Sequence, residues 1–222
     1  MPDKIEQIRN QEINAVDEAR KKLQNSMNSL LKKIGKVQIG PKDLFPYGWR
    51  KAAKGRTVWR ILEELITQNL EKYHKEFGIE KVEPAESEVG VFDLKFCLAE
   101  GDPIYVNVKS AVVGGRTNKD DISKANGLRD FFEEDTSRCL MVVTILIEFK
   151  EDMTISLNES IAFPITWIPD IYVNPSNNGN LQSSKYKSID GATKRTNAEF
   201  LTELKKKIAV ANQKRLKKQK KA

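Results

Sequence analysis

Apolar positions along the chain follow two rhythms. Between residues 3 and 35, Ile5, Ile8, Val16, Ala19, Leu23, Met27, Leu30 and Ile34 recur mostly at three- and four-residue steps, broken at Glu12, with polar residues between them. That spacing predicts one long helix with a narrow apolar stripe, suited to packing either on its own domain or on a second subunit. Gly35 and Gly40-Pro41 close it. A second helix is predicted from Thr57 to about Phe77, where Val58, Ile61, Leu62, Leu65, Ile66, Leu70 and Tyr73 share a stripe and Gly78 is the stop. Strand character begins at Ile79–Val82, and the rhythm then shortens to two. Phe92, Leu94 and Phe96 alternate with Val91, Asp93 and Lys95, and Ile104, Val106 and Val108 alternate with Tyr105, Asn107 and Lys109. The link Ala99-Glu100-Gly101-Asp102-Pro103 is turn chemistry. An antiparallel hairpin would bury one face of each run and bring Asp93 close to Asn107 and Lys109 on the other.

Beyond the Gly114-Gly115 break, Ile122, Ala125, Leu128, Phe131 and Phe132 predict a helix over Lys119–Glu134. Thr117 or Asn118 would cap it, and Asp120 and Asp121 would complement its dipole. The run CLMVVTILIEF (139–149) reads as a central strand covered on both faces. Residues 153–168 read as a strand pair, or a strand and a loop. Residues 169–197, rich in Asn, Ser, Gly and Lys, predict no regular element. Phe200, Leu201, Leu204 and Ile208 then open a last amphipathic helix. The expected class is α/β, a mixed central sheet flanked by helices, divided into an N-terminal helix (1–40), a core domain (41–204) and a basic C-terminal end (205–222).

Charge changes the picture at that end. Of a net +7, residues 205–222 carry nine Lys/Arg and no Asp/Glu, leaving the remainder slightly acidic. Such a tail either lies on phosphates, with salt-dependent affinity, or is a solvated helix end. No apolar run is long enough to cross a bilayer, and the charged start MPDKIEQIRN is no secretory signal. Cys97 and Cys139 sit in apolar strand-like runs and read as reduced core thiols, which points to the cytoplasm. His74, the single histidine, falls on a polar helix surface, so histidine chemistry is not expected.

Asp93 facing Lys109 suits metal-assisted attack on a phosphodiester: a carboxylate anchors a divalent cation, and a lysine orients or deprotonates the attacking water. Asp93, thirteen intervening residues, then Asn107-Val108-Lys109 resembles the motif of the PD-(D/E)XK nuclease superfamily, and within it type II restriction endonucleases. The departure is Asn107, which stands where an Asp or Glu is usual. The resemblance extends to the order of elements over about residues 57–168. It implies a restriction-endonuclease-like fold and sequence-specific, Mg2+-dependent cleavage of double-stranded DNA. Asp93 would bind the metal, and the carbonyl of Val108 would add a neutral ligand. Lys109 would position or activate water, and Asn107 would hold a water or ligate weakly. A glutamate on the preceding helix often faces the metal in the resembled fold, and Glu63 fits that arrangement better than Glu64. One of Glu83, Glu86 and Glu88 could also replace the charge that Asn107 lacks.

For DNA contacts, the aromatic and basic connector 41–56 offers Arg50, Lys51, Lys54 and Arg56 among Phe45, Tyr47 and Trp49. The same mixture also suits a loop whose aromatics cap the core. The loop after Lys109 adds Arg116 and Asn118, and the irregular stretch adds Asn178, Asn180, Gln182, Lys185 and Lys187. A palindromic target would ask for a two-fold homodimer, with the stripe of helix 3–35 as its surface. Two alternatives stay open: a catalytically silent nucleic-acid-binding protein on the same fold, and a repair or junction nuclease. A restriction enzyme would have a companion methyltransferase, whose identity the chain does not carry.

Overall fold

The structure is a computed structural model that describes residues 2–49, 54–86, 90–98, 101–115, 119–176 and 179–219, apart from the side chains of residues 2, 3 and 54–57. A long helix α1 (Pro2–Ile34) leads through a short strand β1 (Lys36–Gln38) to helix α2 (Lys54–Tyr73). Strands β2 (Ile79–Pro84), β3 (Leu94–Leu98), β4 (Ile104–Val112) and β5 (Asp120–Lys124) precede helix α3 (Ala125–Glu134). Strands β6 (Cys139–Phe149), β7 (Thr154–Pro164), β8 (Tyr172–Val173) and β9 (Asn180–Ser183) follow, and helix α4 (Asn197–Gln219) comes last.

Six strands form one mixed sheet in the order β1-β7-β6-β4-β3-β2. Its neighbours pair antiparallel except β4 and β6, which run parallel over nine residue pairs from Ile104↔Cys139 to Val112↔Ile147. A parallel pair needs a long crossover, and β5 with α3 supplies it. The apolar run of β6 is buried on both faces, as its composition predicts. Leu140 and Val142 join Phe132, Phe163, Trp167 and Phe200 in a core layer that includes α3 and α4. Met141, Val143, Ile145 and Ile147 face the other way, against Leu23, Met27 and Leu30 of α1 and Leu62 and Ile66 of α2. Helices thus cover both faces of a mixed sheet, the expected class.

The C-terminal half of the α1 stripe belongs to this second layer: Leu23, Met27 and Leu30 are completely buried, whereas Ile5 and Ile8 near its start are exposed. The expectation that Leu23 and Leu30 form a dimer surface is therefore corrected; their partners are this chain's own sheet. Two side chains of α1 also reach the edge of β7. Asn28 Oδ1 accepts from the Ser160 N–H at 2.7 Å, and Gln24 Oε1 accepts from the Ala162 N–H at 3.1 Å. β1 covers this edge only at Thr154–Ser156, so helix amides finish a ladder that no strand completes. The spacing matches, because the four residues from Gln24 to Asn28 advance about 6 Å along the helix and two strand residues about 6.7 Å.

A second, three-stranded sheet in the order β5-β9-β8 departs from expectation twice. Residues 120–124 are a strand rather than the start of a helix, and the stretch 169–197 contains two strands. Asp120 accordingly does not complement a helix dipole. It accepts from the Tyr186 hydroxyl at 2.9 Å and pairs with Lys187 at 2.5 Å. The basic end continues α4, which runs to Gln219 and buries Ile208 and Ala211. Arg215 Nε donates to the Pro175 carbonyl at 3.2 Å, and Lys218 Nζ to Ser176 Oγ at 3.2 Å. Among the described residues no helix is long and apolar enough to cross a membrane.

Burial of the α1 stripe sets a stability expectation. Leu23→Ala should lower the free energy of unfolding by about 2–5 kcal/mol, measured by urea denaturation. Leu23→Asp should yield an unfolded or aggregated chain. A folded monomer from Leu23→Asp would return the stripe to an intersubunit role.

Candidate active site

The ladder between β3 and β4 stops at Leu94↔Val106. One residue earlier, the Asp93 N–H still donates to the Val106 carbonyl at 2.8 Å. Beyond it β4 continues without β3, and the next backbone donor on that edge, the Val108 N–H, is met by Asp93 Oδ2 at 2.7 Å. A strand residue sends its N–H and C=O to the same side, so the Val108 carbonyl leaves on this edge too. Asn107 lies between, 7% exposed. Its Nδ2 donates to the Val91 carbonyl at 3.3 Å, while its Oδ1 is buried with no hydrogen-bond partner. An unsatisfied buried acceptor costs about 1–3 kcal/mol, and such a group needs a functional or ligand-based explanation.

Helix α2 lays Glu63 into the same cavity. Burial, and then the nearby Asp93 charge, raise its carboxyl to about 7; Lys109 and Arg60 pull the other way. Burial also raises Asp93, opposed by the Val108 N–H and by Lys109. These are two carboxylates that resist simultaneous ionisation beside one lysine. Glu64 points elsewhere and accepts from Gln68 Nε2 at 2.7 Å. Trp59 and Arg60 line the cavity as well, with the guanidinium 4.3 Å from the Trp59 ring centroid. Neither was singled out in the sequence. The signal was there, since they stand four and three residues before Glu63 on the same helix face.

The cavity measures about 500 Å3, and the three-stranded sheet contributes Asp121, Ser123, Lys124 and Asn180 to it. The structure therefore brings together Glu63, Asp93, Asn107, Val108, Lys109 and Asn180 from the residues expected at the site. It does not bring in the acids ahead of Asp93: Glu83 is paired with Lys81 and Lys95, Glu86 lines a neighbouring pocket, and Glu88 lies outside the described residues. Gln182 donates to Asp121 Oδ1 at 2.6 Å, and Lys185 is exposed and away from the cavity lining. Arg50, Lys51, Arg116 and Asn118 lie outside the described residues. Lys54 and Arg56 sit in the first turn of α2, with side chains outside them. In the connector, Trp49 caps the core, donating from Nε1 to the Lys150 carbonyl at 2.9 Å. His74 contacts the Ile79 carbonyl, remote from the cavity.

Among the described residues no cluster of three or more His, Cys, Asp or Glu side chains could hold a metal ion. The oxygen set here is mixed: two carboxylates, the unpartnered Asn107 amide oxygen and the Val108 carbonyl. Hard divalent cations accept such all-oxygen sets. The chain matches no protein-family model and no curated protein.

The raised Glu63 carboxyl gives a signed pH dependence. Its ordinary value is 4.5 and its folded value about 7, so between these the unfolded chain releases the proton first. Stability contributed by the protonated form is thus full below about pH 4.5 and is lost as pH rises to 7. Glu63→Gln should stabilise the cation-free protein at pH 8, on the order of 1 kcal/mol after solvent screening, and have little effect at pH 4. Urea midpoints at the two pH values check this; equal shifts at both would remove the carboxyl as the cause.

Proposed function

We propose that this chain is a Mg2+-dependent endonuclease of double-stranded DNA, resembling type II restriction enzymes of the PD-(D/E)XK superfamily. The observation that carries the reading is the meeting of Glu63, Asp93, Asn107 and Lys109 in one cavity, drawn from α2, the entry to β3, and β4. Three chain segments of ordinary composition would have no reason to assemble two carboxylates and a lysine around an orphaned amide oxygen. That oxygen and the two carboxylates fit a hard cation.

Glu63, Asp93, the Asn107 amide oxygen and the Val108 carbonyl would hold the ion. When bound, it supplies charge neutralisation at the scissile phosphate and acidifies water for attack. The protein's own groups do the rest. Asp93 is fixed by the Val108 N–H, which occupies one lone pair of Oδ2 and sets the direction of the carboxylate. Glu63 gives up its proton from the carboxyl when the cavity gains positive charge. Lys109 Nζ orients the attacking water and screens the incoming phosphate. Arg60 and Lys124 add cationic groups for the non-bridging oxygens.

Glu63 answers the departure at Asn107, because it provides the second carboxylate from a helix rather than from the motif strand. Two chains about a two-fold axis would cut both strands of a palindromic site, on a surface other than the buried Leu23–Leu30 half of the α1 stripe. The free thiols Cys97 and Cys139 accord with a cytoplasmic protein.

Asp93→Ala and Lys109→Ala should each reduce cleavage of plasmid DNA in Mg2+ by at least about 100-fold, while DNA binding in Ca2+ persists. Retained cleavage in either variant removes the assignment. Asn107→Asp should keep cleavage or shift its metal preference toward Mn2+. Binding without cleavage by the unaltered protein would instead favour the catalytically silent reading.

A further inference from the structure

The cavity has a second wall, from which the cleavage chemistry uses Lys124 alone. Asn180 opens β9 and lies opposite Lys124 at the end of β5, and both line the cavity with Asp93 and Lys109. Leu181 and Ser183 are fully buried, so alternation along β9 turns Asn180 and Gln182 to the other face. Gln182 is committed there, donating to Asp121 and accepting from Asn174 Nδ2 at 3.1 Å. Asn180 is not: its Oδ1 is buried with no hydrogen-bond partner.

The backbone beneath Asn180 is pinned. Its carbonyl accepts from the Asn174 N–H at 2.9 Å, and the neighbouring Gly179 carbonyl accepts from the Ala125 N–H at 3.1 Å. Arg215 holds the same turn through Pro175. A carboxamide on fixed backbone, facing a reactive cavity with an acceptor unused, is suited to reading a ligand's edge rather than to stabilising the fold.

Resting on the nuclease reading above, we propose that Asn180 is a specificity-determining residue and that it reads an adenine beside the scissile phosphate. A carboxamide offers one acceptor and one donor group side by side, which match adenine N6 and N7 in the major groove. Oδ1 takes the N6 proton that it lacks in the free protein. Lys124 sits alongside as a cation for the adjoining phosphate. A cavity of about 500 Å3 spans roughly 10 Å, so the base read lies within about three nucleotides of the cut.

Duplexes with a randomised stretch test this. The full chain selects them by binding in Ca2+, and the same pool is cut in Mg2+ and its ends sequenced. The unaltered protein should select adenine within three nucleotides of the cut. Asn180→Ala should lose that preference by about 10- to 100-fold and keep the preferences at other positions. The near-isosteric Asn180→Asp, which accepts without donating, should move the preference toward cytosine, whose N4 donates. An undiminished adenine preference in both variants overturns the inference, as does the absence of any fixed base near the cut. Adenine selection that depends on Asn180 but comes without cleavage sustains the inference and removes the nuclease reading alone.

Discussion

A carboxylate replaces a missing strand. Where β3 has not yet begun, β4 still presents the Val108 N–H, and Asp93 Oδ2 takes it at 2.7 Å. The bond satisfies a backbone donor that would otherwise be orphaned beside the core, so it belongs to the fold. It also leaves Oδ1 of Asp93, and the Val108 carbonyl, on the cavity side, so it belongs to the site. Parallel pairing of β4 with β6 holds the strand rigid on its far side. The geometry of the cavity is thereby inherited from the sheet rather than from a loop.

Electrostatics then explains why position 107 carries an amide. Glu63 and Asp93 already oppose each other's ionisation, and both are raised by burial. Asn107 is more deeply enclosed than an ordinary surface residue, at 7% exposure. A carboxylate there would add a further enclosed negative charge next to Glu63 and Asp93. The amide keeps an oxygen at the same place without that cost. The arrangement trades some stability for a cavity in which acids and bases face each other, as functional sites commonly do.

Much of this was legible in the chain. Alternation over residues 91–96 and 104–109 is a local signal, and it placed Asp93 beside Asn107 and Lys109 before any packing was known. The small sheet was not legible for a physical reason. Ile122 stands three residues before Ala125 and six before Leu128, so it continues the helical stripe as well as it marks a strand. The choice is made by β9, nearly sixty residues away, whose own apolar content is Leu181 alone. Sequence rhythm likewise shows that α1 needs a partner, but a stripe cannot say whose surface covers it. Arg60 was recoverable from its spacing to Glu63, whereas Lys124 depended on the unseen strand.

The amides of Gln24 and Asn28 on the edge of β7 carry a consequence for how the chain is made. Their acceptors wait for Ala162 and Ser160, which are 138 and 132 residues further on. At ordinary rates of synthesis that separation is on the order of 10 s. For that interval the leucines of α1 have no sheet to rest on, and only after β7 is complete can the helix dock. Closing so long a loop makes docking of the N-terminal helix a late step, during which its apolar side stays open to chaperones.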